Sequence, residues 1–145
     1  MSVAEERAAV VAEAMTWMGT PWHHRASVKG VGVDCAMFVL TVYANAGLIQ
    51  RFDPGDYPRD WHIHKSEERF LGFVAPFVRR IEESEVQAGD LVLCKIGRVF
   101  SHGVIVTAWP QGIHALVGAN VQLCDLDRDV GLISGEKRYF THKEW

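Results

Sequence analysis

Cys35 sits where a glycine-bearing stretch, Gly30-Val31-Gly32-Val33-Asp34, gives way to an apolar run, Ala36-Met37-Phe38-Val39-Leu40. If that run is a helix, the thiol lies at its first turn. There, unpaired backbone N–H groups and the positive end of the helix dipole favour thiolate over thiol. A cysteine of lowered pKa in such a place is a candidate nucleophile. Two later histidines, His102 and His114, lie in apolar, β-branched runs and complete a Cys/His pattern. Each residue alone also has a bland reading, as a buried inert thiol and two structural histidines.

Positioning these groups requires particular elements. Asp34 is placed to cap a helix over residues 35–46, ended by Asn45-Ala46-Gly47. That helix is apolar nearly all round, from Ala36 through Val42, which implies deep burial. Upstream, Ser2 and Glu5 have capping-box spacing. Val3, Val10, Val11, Ala14, Trp17 and Met18 then recur at helical spacing as a core stripe, until Gly19-Thr20-Pro21 stops the helix. Residues 20–34 and 50–60 read as loops. A short helix after Ser66 carries Phe70, Leu71, Phe73 and Val74 as far as Pro76.

From Gly89 the hydrophobic period changes. Strands are predicted over 90–96, 102–107, 112–117, 121–124 and 137–141. Turn signals at Gly97-Arg98 and Pro110-Gln111-Gly112 suggest an antiparallel meander. Helices first and strands afterwards predict an α+β domain, with N-terminal helices packed on a C-terminal antiparallel sheet across 1–145. The order raises a geometric problem. A hairpin centred on Pro110-Gln111 puts Thr107 opposite His114, and Thr107 and His102 are an odd number of residues apart, so they face opposite ways. The imidazoles can meet only through a bulge, a wider loop or a bend near His102.

Composition narrows the function classes. A length of 145 residues with 48% hydrophobic and 23% charged residues fits one ordinary globular core. A net charge of −3 gives no electrostatic reason to expect nucleic acid or an anionic membrane as partner. No run is long and apolar enough for a membrane span. The first residues lack the order of a signal peptide, so synthesis and folding in a cytoplasm are expected. Cys35, Cys94 and Cys124 are too few and too widely spaced for a disulfide framework or a Cys-x-x-Cys zinc site. The pairs His23-His24 and His62-Ile63-His64 lack ligand partners at recognised spacing, so no metal site is expected.

Several motifs together carry a family resemblance. Gly19-Thr20-Pro21, Asp34-Cys35 opening a helix, Ala88-Gly89-Asp90-Leu91, Ser101-His102-Gly103-Val104-Ile105-Val106 and Ile113-His114-Ala115 occur in the order and spacing of the NlpC/P60 family of papain-like cysteine peptidases. The loop Pro21-Trp22-His23-His24-Arg25-Ala26-Ser27-Val28-Lys29-Gly30-Val31-Gly32 resembles that of phage-tail cell-wall peptidases. The segment Tyr57-Pro58-Arg59-Asp60-Trp61-His62-Ile63-His64 also looks like a phage-type insertion.

The resemblance implies a papain-like fold and a Cys35–His102–His114 triad that needs no cofactor. Cys35 would attack an amide carbonyl, His102 would move the proton, and His114 would orient His102. The Cys35 backbone N–H would help hold the oxyanion. Trp22, His24, Asp34, Trp61 and His62 are the further candidates for oxyanion or substrate binding. Trp22 stands where the family commonly has tyrosine, and Met37 where it has a small residue. The implied substrate is a peptidoglycan stem peptide, cut beside D-γ-glutamyl and diamino acid residues. The implied setting is a phage tail or gene-transfer particle acting at the cell wall, with tail or particle proteins as partners. A structural tail-tip protein with a decayed site, and a thiol acyltransferase or amidase on another substrate, are the alternatives.

Overall fold

The computed structural model describes residues 1–51, 53–55, 69–97 and 99–145. Helix α1 (Val3–Met15) begins at Ser2, whose hydroxyl accepts from Glu5 N–H while the Glu5 carboxylate accepts from Ser2 N–H, so the capping box forms in full. Of the expected stripe, Val10, Ala14 and Trp17 are buried. Val3 and Met18 are 42% and 37% exposed, because the first lies at the free helix end and the second beyond the last helical turn. Strands β1 (Ser27–Val28) and β2 (Gly32–Val33) form a small hairpin inside the stretch expected to be only loop. Helix α2 (Cys35–Asn45) is capped by Asp34 and ends at Ala46, with Gly47 at φ 84°. Eight of its residues are buried, as an all-round apolar helix demands. Helix α3 is Arg69–Val74; the predicted start at Ser66 lies outside the described residues.

The remaining strands are β3 (Val78–Ile81), β4 (Leu91–Ile96), β5 (Val99–Ala108), β6 (Gln111–Ala115), β7 (Val121–Asp125) and β8 (Lys137–His142). They form a six-stranded antiparallel sheet in the order β3-β8-β4-β5-β6-β7. Only β4 to β7 are the meander expected. The last strand returns to the sheet interior between β3 and β4, and β3, with two arginines in four residues, carried too little apolar pattern to be read as a strand. The helices cover one face. Phe38, Val39, Val42, Phe70, Leu91, Leu93, Ile105 and Ile113 lie in the main core, and Val92, Cys94, Val104, Val106, Cys124 and Leu126 in a smaller cluster. Cys94 and Cys124 are thus core thiols.

A buried ion pair ties the layers together. Arg7 on α1 donates to the Asp90 carboxylate at 2.8 Å, to Ala88 O and to Thr141 Oγ1, while Thr141 Oγ1 donates to Asp90 at 2.6 Å. Asp90 is fully buried, so this charge is tolerable only because it is paired and fully hydrogen-bonded.

Two irregularities in β5 decide the site. Against β4 the register shifts between Cys94 and Lys95, leaving Ser101 as an extra residue; against β6 it shifts at Thr107. Ala108 pairs with Gln111 around Trp109-Pro110, then Val106 pairs with Gly112 and Ile105 with Ile113. The turn lies one residue earlier than expected, and of the irregularities expected it is a bulge, at Thr107, that resets the β5–β6 register. One step past the last pair, His114 comes level with Val104, two residues from His102, so both imidazoles share a face. This register needs glycine at 112, where a Cβ would lie 2.5 Å from Val104 Cγ1 and 2.7 Å from the carbonyl oxygen of Ile105. Gly112→Ala is expected to lower stability by about 1–3 kcal/mol. Gly72→Ala, facing open space on α3, should be neutral or raise stability by up to ~1 kcal/mol. Denaturant titration of both variants checks the contrast.

Candidate active site

The Asp34 carboxylate builds the local frame. One oxygen accepts from Met37 N–H at 2.8 Å and the other from Arg25 N–H at 2.7 Å. Asp34 is 2% exposed and joins the helix start to the preceding loop, where Arg25 takes φ 58°. It is therefore the helix cap rather than a group facing substrate, with both oxygens engaged by backbone. His24 Nδ1 lies 3.9 Å from Asp34, and its ring stacks on Trp22 with centroids 6.4 Å apart. Trp22 is half-buried and bridges Val33, two residues before Cys35, while its backbone N–H donates to Ala119 O. Trp22 and His24 thus stand beside the nucleophile candidate. Trp61 and His62, together with His64, lie outside the described residues.

Cys35 Sγ donates to Ser101 O at 3.3 Å, and the backbone N–H groups of Ala36, Cys35 and Gly103 favour its thiolate. The placement on β5 is specific. Val106 directs both its N–H and its C=O toward the β4 side, to Asp90 and Gly89, so alternate residues Ile105 and Gly103 turn theirs toward β6. The β5–β6 ladder ends at Ile105↔Ile113. The sulfur occupies the edge of β5 that β6 has left. Gly103 permits this approach: a Cβ there would lie 3.1 Å from Val39 Cγ2 and 2.7 Å from the Phe70 ring.

The two imidazoles meet. His102 Nε2 and His114 Nδ1 are 2.8 Å apart, one donating and one accepting, with the rings edge to face. Both histidines are buried, His102 at 4% and His114 at 2% exposure. Gly103 faces α2 and α3, so alternation turns His102 to the other side of β5. The thiol thus meets the peptide groups that flank His102, while the His102 ring stands on the opposite face of β5 against His114. A cavity of about 560 Å³ opens beside the first turns of α2, lined by Arg25, Ser27, Met37, Thr41 and Arg51 among others. Among the described residues no three His, Cys, Asp or Glu side chains cluster as metal ligands would.

The electrostatics correct one expectation. Burial pushes the Cys35 thiol well above its ordinary range, and the Asp34 charge adds to this, outweighing the N–H groups at the helix start. Burial likewise lowers the pKa of His102, assisted by His114, and that of His114, which the Asp129 charge partly offsets. At rest the site holds a neutral thiol and neutral imidazoles, not an ion pair. The backbone groups Ser101 O and Gly103 N–H escaped sequence reasoning because a peptide group carries no residue-type signal.

A model of the NlpC/P60 family matches residues 17–142. No curated protein matches the chain. Among solved structures, the NlpC/p60 domain of the peptidoglycan hydrolase SagA is similar at 23% identity and a TM-score of 0.59, covering 91% of this chain and 96% of that one. The peptidoglycan hydrolase RipB of Mycobacterium tuberculosis is similar at 17% identity and TM-score 0.63, covering 97% and 68%. RipD of the same organism, described as a non-catalytic NlpC/p60 domain protein adapted to peptidoglycan binding, is similar at 17% and 0.60, covering 95% and 97%. The fold is the α+β, papain-like arrangement of that family.

The buried titratable groups set a pH dependence of stability. His102 and His114 have lowered pKa values in the fold, so the unfolded chain takes up protons near pH ~6.5 that the folded chain does not. Stability present at pH 7 is lost as pH falls below that value. Cys35, Cys94 and Cys124 are raised, the latter two to about 11 and about 12, so stability is lost again as pH rises above the unfolded thiol value of ~8.5. Denaturant midpoints across pH 4–10 should peak between the two limits, and His102→Asn should flatten the acid limb.

Proposed function

The chain belongs to the NlpC/P60 family, and from that premise we propose that it is a cysteine hydrolase of peptidoglycan stem peptides. The observation that carries this reading is the Cys35 thiol on the open edge of β5, at the peptide groups flanking His102, with His102 paired to His114. Neutral thiol and neutral imidazole suit general-base activation. His102 takes the Sγ proton as sulfur attacks the amide carbonyl, His114 holds the His102 ring, and the imidazolium returns the proton to the leaving amine. Water then hydrolyses the thioester. The Cys35 N–H, at the start of α2, is the first candidate oxyanion donor, and the indole of Trp22 is the second. His24 would shape the adjoining substrate wall, and Trp61 and His62 keep the same proposed task.

The scissile bond proposed is one adjoining D-γ-glutamyl and diamino acid residues, and the setting a phage tail or gene-transfer particle acting at the wall. The bond follows from the family resemblance, and the setting from the Pro21–Gly32 loop motif. A second reading is a wall-binding or structural particle protein without turnover. It draws on the raised thiol pKa and on the existence of non-catalytic relatives such as RipD.

Digestion of purified sacculi, with released fragments identified by mass, decides between the two. The wild type should free stem-peptide fragments with new termini, and Cys35→Ala should reduce release at least ~10³-fold. Binding to sacculi without new termini would establish the second reading. Because His102 acts as base only when unprotonated and its pKa is lowered to about 3, kcat/KM should show no acid limb at the ordinary imidazole value of ~6.5 and should hold down to pH 4. A pH–rate profile over pH 4–8 measures this.

A further inference from the structure

On the far side of His114 from His102 lies a second cavity, of about 580 Å³, lined by His114, Gln122 and Asp129 with Leu116, Leu123 and Val130. His114 Nδ1 is engaged by His102, whereas its Nε2 is buried and has no hydrogen-bond partner among the described residues. That nitrogen decides the chemistry of the pair. If His102 Nε2–H donates to His114 Nδ1, the neutral His114 carries its proton on Nε2, and His102 Nδ1 keeps a lone pair able to take the Cys35 proton. In the opposite arrangement, His114 Nδ1–H donates and His102 carries its own proton on Nδ1, where it cannot act as base. The 2.8 Å contact is compatible with either.

The groups around the cavity break the tie. Gln122, opposite His114 on β7, offers an amide that can donate or accept and so favours neither tautomer. The Asp129 carboxylate can only accept. It stands on the turn after β7, where one oxygen accepts from Asp125 N–H at 2.8 Å. Its charge also acts on His114 in the sense that favours proton binding.

We propose that Asp129 is a positioning residue for the imidazole pair: across this cavity its carboxylate accepts the Nε2 hydrogen of His114, directly or through one water, and so fixes the tautomer that leaves His102 Nδ1 free. The inference rests on the Cys/His reading given above, and it places a fourth residue behind the three.

The test is nitrogen NMR of the full chain labelled with ¹⁵N-histidine, which reports the tautomer of each ring without any substrate. In the wild type both rings should be protonated at Nε2. Asp129→Asn keeps an oxygen that can accept from Asp125 N–H, preserving the turn, yet removes the charge. It should move His102 and His114 toward Nδ1 protonation and slow fragment release from sacculi ~10-fold or more without changing KM. Gln122→Ala should leave both tautomers as in the wild type. Unchanged tautomers in Asp129→Asn, Nδ1 protonation of His114 in the wild type, or a change produced by Gln122→Ala instead would each overturn the proposal. If sacculi resist the wild type, the hydrolase reading fails, while the tautomer measurement still decides the place of Asp129.

Discussion

The site depends on a strand pairing that stops. Strand β6 accompanies β5 from the turn as far as Ile105↔Ile113 and then leaves it, and the thiol of Cys35 occupies the polar edge thus exposed. A sulfur at the tip of a helix belongs to one layer and an imidazole on the opposite face of a sheet to another. The break in the ladder leaves the peptide groups flanking His102 available to the sulfur. The small residues at 103 and 112 serve this arrangement in different ways, one letting the helices approach β5 and the other holding the bulged register.

Burial then sets the resting chemistry. The helix start does what its geometry dictates, since the N–H groups of Cys35 and Ala36 favour negative charge on sulfur. Loss of water around a nearly enclosed thiol is the larger effect, and the capping carboxylate of Asp34 opposes ionisation further. The same enclosure keeps both imidazoles unprotonated at neutral pH. In such an enclosure thiol and imidazoles gain charge only when a proton moves.

Much of this was legible in the sequence, for local reasons. Ser2 and Glu5, Asp34 and Met37, and Gly47 act within one or two turns, so spacing alone reads them. The strand pattern of β4 to β7 follows from apolar, β-branched runs, and parity alone demanded an irregularity if His102 and His114 were to meet. The position of that irregularity at Thr107 was not legible, because it depends on where the turn closes and on Val104 and Ile105 packing against Gly112. Nor was β3 legible, since Arg79 and Arg80 are exposed and its partner is distant in the chain. The dominance of burial over the helix dipole at Cys35 arises from three-dimensional enclosure, which no short motif encodes.

The placement of β8 has a consequence for how the molecule is made. Residues 137–142 form the plank between β3 and β4, while Thr141 reaches the charge cluster of Arg7 and Asp90. As the polypeptide emerges from the ribosome, two sheet borders must stay open until this late segment arrives. Closure of such distant pairings is slow and leaves unsatisfied rims exposed meanwhile. Completion of the sheet is thereby deferred until residues 137–142 have emerged, and a nascent chain stalled before residue 137 would offer β4 as a template for adventitious partners.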